Sequence, residues 1–119
     1  MGLYVDGFVV PIPKKNVPAY QRIAKIASKV WKEHGALEYR ECAGDDMKIK
    51  GVVSFLKQMK CKPNETVIFA WITYKSRAHR DKVNAKVMKD PRLTKIMNDK
   101  PPFDYRKILY GGFKTIVEA

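Results

Sequence analysis

The sequence predicts an α+β domain in which one antiparallel sheet of four strands carries two helices on a single face. Two observations carry this reading. Apolar residues recur at two-residue steps in some segments and at three- and four-residue steps in others, in the order β-α-β-(β)-β-α-β, the split βαβ arrangement. The chain has 119 residues, of which 45% are hydrophobic and 11% aromatic, enough for one domain with its own core, taken as residues 1–119.

Residues 3–10 (LYVDGFVV) are mostly β-branched, aromatic or small and run into Pro11 and Pro13, which cannot donate to a ladder, so they read as a strand that stops there. Asn16 is placed to cap a helix over 17–34, with Pro18 in its first turn and Gly35 as its stop. On that helix Tyr20, Ile23, Ala24, Ala27, Val30 and Trp31 form the apolar stripe, opposite Arg22, Lys25, Lys29 and Lys32. A second strand over 36–43 (ALEYRECA) meets the turn residues Gly44-Asp45-Asp46. Residues 45–65 are the least regular stretch, with one short strand candidate at 51–55 (GVVSF). The clearest strand is 66–74 (TVIFAWITY). Ser76 then caps a helix that runs to about Lys89, where Asp90-Pro91 breaks it. A helical turn is expected around 92–97, and a last strand over 107–117, with Gly111-Gly112 as a bulge or a point of close approach.

Strand parity carries the reading further. Val67, Phe69 and Trp71 point one way and Ile68, Ala70 and Ile72 the other; Tyr4, Phe8 and Val10 oppose Leu3, Val5 and Val9. Both faces are apolar, and two helices cover one of them. The simplest cover for the other is a second copy, which predicts a homodimer joined through its sheets.

The segments YVDGFVVPIPKKN (4–16), VWKEHGALEYRECAGDD (30–46), ITYKSRAHRDKVNAKVMKDPR (72–92) and PFDYRKILYGGF (102–113) resemble the YbaA family of small bacterial proteins, over essentially the whole chain. The resemblance implies a ferredoxin-like protomer that dimerises through its sheet into an α+β barrel. It supplies no activity, and the fold alone cannot choose one.

His34 falls on the apolar stripe of the first helix and is expected to face the sheet, either tied to an acidic group or acting as an acid or base. On the second helix, Val83 and Val87 are bordered by His79, Arg80 and Asn84, polar groups beside a packing face. An arginine buried there requires a carboxylate or a bound anion, and Asp6, Glu38 and Glu41 are the available carboxylates. Asp6 interrupts an apolar strand and shares the face of Tyr4 and Phe8. Together with Tyr4, Glu38, Tyr39 and Trp71, these residues predict a mostly apolar pocket between helices and sheet, where Arg80 holds an anionic organic molecule and His34 or His79 moves a proton. The alternative is a structural ion pair between helix and sheet.

Nucleophile-elbow, phosphate-loop and zinc motifs are absent from the sequence, so no metal or cofactor is expected. The cysteines, Cys42 and Cys61, lack metal spacing, and the lysines flanking Cys61 are placed to lower its pKa. With no apolar run near the roughly 18 residues that span a bilayer, and no signal-peptide pattern at the N-terminus, the expected location is the cytoplasm.

The net charge of +12 raises RNA binding or another interaction role as the rival function. LYVDGF resembles the first strand signature of the RNA-recognition motif, which shares this strand order. The second signature fails, because Val67 and Ile68 stand where a basic residue and a glycine belong. The basic residues are also spread along the helices, which predicts solvated stripes and nonspecific binding to polyanions at low salt.

Overall fold

A computed structural model describes residues 2–119. Its elements are β1 (Tyr4–Pro13), α1 (Val17–Glu33), β2 (Glu38–Ala43), α2 (Phe55–Gln58), β3 (Glu65–Tyr74), α3 (Arg77–Met88), α4 (Pro91–Asn98) and β4 (Leu109–Lys114). The sheet order is β2-β3-β1-β4, every neighbouring pair antiparallel, which is the ferredoxin-like arrangement.

β1 does not stop at its prolines, as the sequence suggested, but continues through both to Pro13. The reason lies in its neighbours. β4 pairs with β1 only as far as Val9↔Leu109, whereas β3 stays paired to Pro13↔Glu65. Lys14 N–H donates to Asn64 O on the β3 side, so by alternation the odd positions aim the other way, where β4 has ended. Pro11 and Pro13 therefore sit where no donor is required.

Asn16 makes no capping bond; its side-chain amide donates to Pro102 O at 2.8 Å, and a 3-10 turn over Lys14–Asn16 leads into α1 instead. Gly35, at φ +118°, ends the helix as the sequence requires. Ser76 Oγ accepts from His79 N–H to start α3, and Asp90 caps α4, where a helix of eight residues replaces the expected turn. Residues 51–55 are not a strand: Ser54 caps the one-turn α2, and Val52 and Val53 are exposed and outside the sheet. β4 is shorter than expected, preceded by a 3-10 turn at Tyr105–Lys107. Its glycines keep the regular register Gly7↔Gly111 and Asp6↔Gly112, so there is no bulge. They permit close approach: a Cβ on Gly112 would stand 2.8 Å from Tyr4 Cζ.

The helices cover one face of the sheet. Tyr4, Ile72, Tyr74, Val30, Val83, Val87 and Leu93 form one core cluster, and Val10, Ile12, Ile68 and Ala70 a second beside it. The other face is apolar and uncovered, with Phe69 47%, Leu109 56% and Phe113 59% exposed.

Candidate functional site

Asp6 lies on the helix-facing side of β1 and is 1% exposed. Arg80, on the first turns of α3, reaches it with Nη1 at 3.0 Å from Asp6 Oδ1. The same nitrogen donates to Tyr110 Oη at 2.6 Å, and the guanidinium lies over the Tyr4 ring, 5.1 Å from its centroid. Burial pushes the Asp6 carboxyl up, against the pull of the Arg80 charge and of hydrogen bonds from Tyr110, Asn84 and Tyr74. Tyr4, Asp6, Arg80 and Tyr110 thus form a closed network that ties α3 to β1 and β4, and the cation is already engaged.

Of the other sequence candidates Asn84 borders this cluster, through its hydrogen bond to Asp6, whereas His34, His79, Glu38 and Trp71 make their contacts elsewhere. Asn84 Oδ1 accepts from Trp31 Nε1 and Tyr74 Oη, both at 3.1 Å, inside packed core. His79 Nδ1 accepts from Lys75 N–H at 2.9 Å. Burial, then the charges of Lys75, Lys82 and Lys86, lowers its pKa, so near neutrality it is an uncharged ring satisfied by backbone. His34 does not face the sheet. α1 ends at Glu33, and His34 Nε2 lies 2.9 Å from Asp90 Oδ2, joining the end of α1 to the cap of α4. Glu38 and Trp71 are paired to each other on the uncovered sheet face, opposite Tyr4 and Asp6. Tyr4 and Trp71 therefore do not share one stacking surface. Among the described residues the five best-formed cavities are lined by none of His79, Arg80 and Asn84. The flanking lysines do not dominate Cys61: burial raises its thiol pKa, and the Glu65 charge adds to this.

A cavity does open elsewhere on the helix side, bounded by α1, α4, the loop over residues 101–108 and the inner faces of β1, β2 and β3. Its volume is about 220 Å³. Phe8, Ile23, Ala24, Ala27, Trp31 and Ile72 form much of its apolar floor and walls, with Leu93, Ile96 and Met97 on the α4 side. Its ionisable acid is Glu41. Parity places Tyr39 and Glu41 on the inner face of β2, opposite Ile72 and Ala70, while Glu38 and Arg40 face outward. Tyr39 Oη donates to Glu41 Oε2 at 2.6 Å, and Tyr20 Oη, from the apolar stripe of α1, donates to Oε1. Burial pushes the Glu41 carboxyl up despite both donors, and burial beside this carboxylate pushes both phenols far above their ordinary range. Sequence reasoning had treated Glu41 as a partner for Arg80 and Tyr20 as core. The signal that would have found them was parity: an acid and a tyrosine on the strand face that α1 must cover. Among the described residues lining this cavity, none is Lys, Arg or His. No cluster of three or more potential metal-ligating side chains occurs among the described residues.

The fold is shared with solved structures of low sequence identity. A Nitrosomonas europaea protein named for antibiotic biosynthesis monooxygenases matches with a TM-score of 0.61 at 11% identity, over 98% of this chain and 93% of its own. A dimeric ferredoxin-like protein from an uncultured marine organism matches with a TM-score of 0.57 at 13% identity, over the whole of both chains. A NIPSNAP family protein of unknown function from Agrobacterium tumefaciens matches at 0.58 and 15%, over 96% of this chain and 88% of its own. These likenesses concern the fold. Sequence similarity is closer to the "Uncharacterized protein YbaA" of Escherichia coli K12, 42% identical over 115 residues and 97% of each chain, and equally to that of Shigella flexneri. Residues 3–105 match the model of the family described as protein of unknown function (DUF1428). This chain belongs to that family, with YbaA as a relative over nearly its full length.

Proposed function

We propose that this protein binds a small, largely apolar organic molecule in the cavity between α1, α4 and the sheet, and that it does so as a homodimer joined through the uncovered sheet face. The observation that carries the ligand reading is the cavity itself: an apolar space of about 220 Å³ with a single carboxylate held by two phenols. Such a combination, apolar walls with a few convergent polar groups, is the usual make-up of a small-molecule site. A cavity of roughly 150 Å³ accepts benzene, so this one suits a single substituted ring. An anionic ligand, as the sequence suggested through Arg80, is disfavoured here, because Arg80 is engaged by Asp6 and no cation lines the wall among the described residues.

The dimer reading rests on the exposed Phe69, Leu109 and Phe113, which a second sheet would cover, and agrees with the description of one structural neighbour as dimeric. Among the described residues no helix is long and apolar enough to cross a membrane. With unpaired Cys42 and Cys61, that fits the cytoplasm as the place of action.

The test is titration of the protein with 2-phenylethanol, followed by calorimetry and by resonance shifts of the lining aromatics. Binding that disappears in Ala24→Phe, while that variant stays folded, supports the reading. Equal response in both proteins refutes it. Light scattering at micromolar concentration that finds monomer alone refutes the dimer.

A further inference from the structure

We propose that the cavity selects a lipophilic organic cation, an amine whose ammonium pairs with Glu41 while its hydrocarbon part lies among the aromatic walls. This rests on the preceding reading of the cavity as a ligand site and names the ligand's chemical class.

The first argument is the missing countercharge. A carboxylate withdrawn from water requires a cation or a full set of donors. Glu41 has two phenol donors, whereas an ionised carboxylate offers about four acceptor positions. Asp6, on the same face of the same sheet, receives a guanidinium; among the described residues Glu41 receives none. The chain carries 24 Lys and Arg residues against 12 acids, so a cation was readily available to any position that needed one, yet none of the described lining residues is cationic.

The second argument is the wall. Phe8, Tyr20, Trp31, Tyr39, Phe103 and Tyr105 surround the space, and the faces of such rings attract a desolvated cation. An ammonium near Glu41 would use the acceptor positions the phenols leave free, and its carbon skeleton would cover Ile23, Ala24 and Ala27. A carboxylate or phosphate in the same place would meet the Glu41 charge with nothing to offset it.

Three probes of matched shape test this: 2-phenylethylamine, 2-phenylethanol and phenylacetate, titrated calorimetrically into wild-type protein and Glu41→Gln at neutral pH and physiological salt. A charge-assisted hydrogen bond contributes more than a neutral one, and the expected preference of the wild type for the amine over the alcohol is about tenfold or more. Phenylacetate should bind weakest. In Glu41→Gln, whose amide oxygen can still accept from the phenols, the amine should fall to the affinity of the alcohol, and the alcohol should be unchanged, which also reports that the variant is folded. The net charge of +12 repels amines and attracts phenylacetate nonspecifically, so an amine preference would have to arise locally. Equal binding of amine and alcohol to the wild type, or an amine preference that survives in Glu41→Gln, overturns the proposal while leaving the cavity as a ligand site. Failure of all three probes to bind overturns the cavity reading and this proposal together.

Discussion

Replacing Arg80 by Met removes the countercharge of a carboxylate that is 1% exposed and leaves the stem packed against Tyr4. Losing one partner of a buried ion pair commonly costs about 3–5 kcal/mol, because the other charge stays behind. The structure also sets a ceiling for that part of the penalty. Asp6 can escape by taking a proton, and from an ordinary pKa of 3.8 this costs about 4 kcal/mol at pH 7 but about 2 kcal/mol at pH 5. In the variant the folded-state pKa of Asp6 lies further above its unfolded value, so the folded state holds more protons in that interval, and stability must rise as pH falls toward the unfolded value. The penalty of Arg80→Met relative to wild type should therefore be close to 4 kcal/mol at pH 7 and shrink to about half at pH 5. Asp6→Asn combined with Arg80→Met should restore much of the loss at pH 7 and abolish its pH dependence. Urea unfolding followed by tryptophan fluorescence, at one protein concentration throughout, measures all of these. A penalty below about 1 kcal/mol, or one that stays constant between pH 7 and pH 5, would refute the assignment of this pair as a buried structural tie.

Three further outcomes follow from the geometry. Glu41→Gln removes a carboxyl whose folded pKa is raised by burial, so wild-type stability should fall relative to the variant as pH climbs from the ordinary 4.5 through the folded value; thermal melts of both proteins across that range would show a constant gap if burial were not the cause. Gly112→Ala drives a Cβ into the Tyr4 ring, which is held by Arg80 and cannot swing away freely, and should cost about 1–3 kcal/mol in the same urea assay. An unaffected midpoint would show that Tyr4 has another place to go. Phe113→Glu puts a charge on the β4 side of the uncovered sheet face, and light scattering should register dissociation to monomer with the protomer fold intact by circular dichroism; a dimer that persists would place the interface elsewhere.

Much of the fold is legible because the periodicities are local and long. The α1 stripe and the β-branched run of β3 each state their element without help from the rest of the chain. What escaped depends on neighbours. Whether Pro11 and Pro13 end a strand depends on where β4 stops, and that is a fact about pairing 100 residues away in sequence. The apolar run at 51–55 has the composition of a strand, but Ser54 at its end caps a helical turn instead. Among the site residues, the tension between Asp6 and Arg80 is visible in the sequence, because an acid breaks an apolar strand and an arginine borders a narrow apolar stripe. His34 misled because the helical wheel was extended one residue past the last turn, into the C-cap, where the side chain follows the chain's exit toward Asp90. The Glu41 cavity was missed because parity was read on β1 and β3 but not on β2, where the same alternation sends Tyr39 and Glu41 inward.

The inner face of this sheet therefore holds two acids with opposite settlements, and the contrast separates a structural group from a candidate functional one. Asp6 is the more deeply buried, and its surroundings supply a guanidinium at 3.0 Å; the guanidinium also meets two phenols, so the cluster is complete without any ligand. Glu41 is half-buried, its donors are neutral, and it stands at the wall of a cavity instead of within packed side chains. A group whose charge is already matched gains little from a bound molecule, whereas one held by neutral donors alone has binding energy still to give to a cation. Hydrogen-bonding satisfaction alone does not distinguish them, since no buried polar side-chain atom among the described residues lacks a partner. The distinction lies in charge, and it directs attention away from the conspicuous arginine and toward a glutamate that has two phenols and no cation.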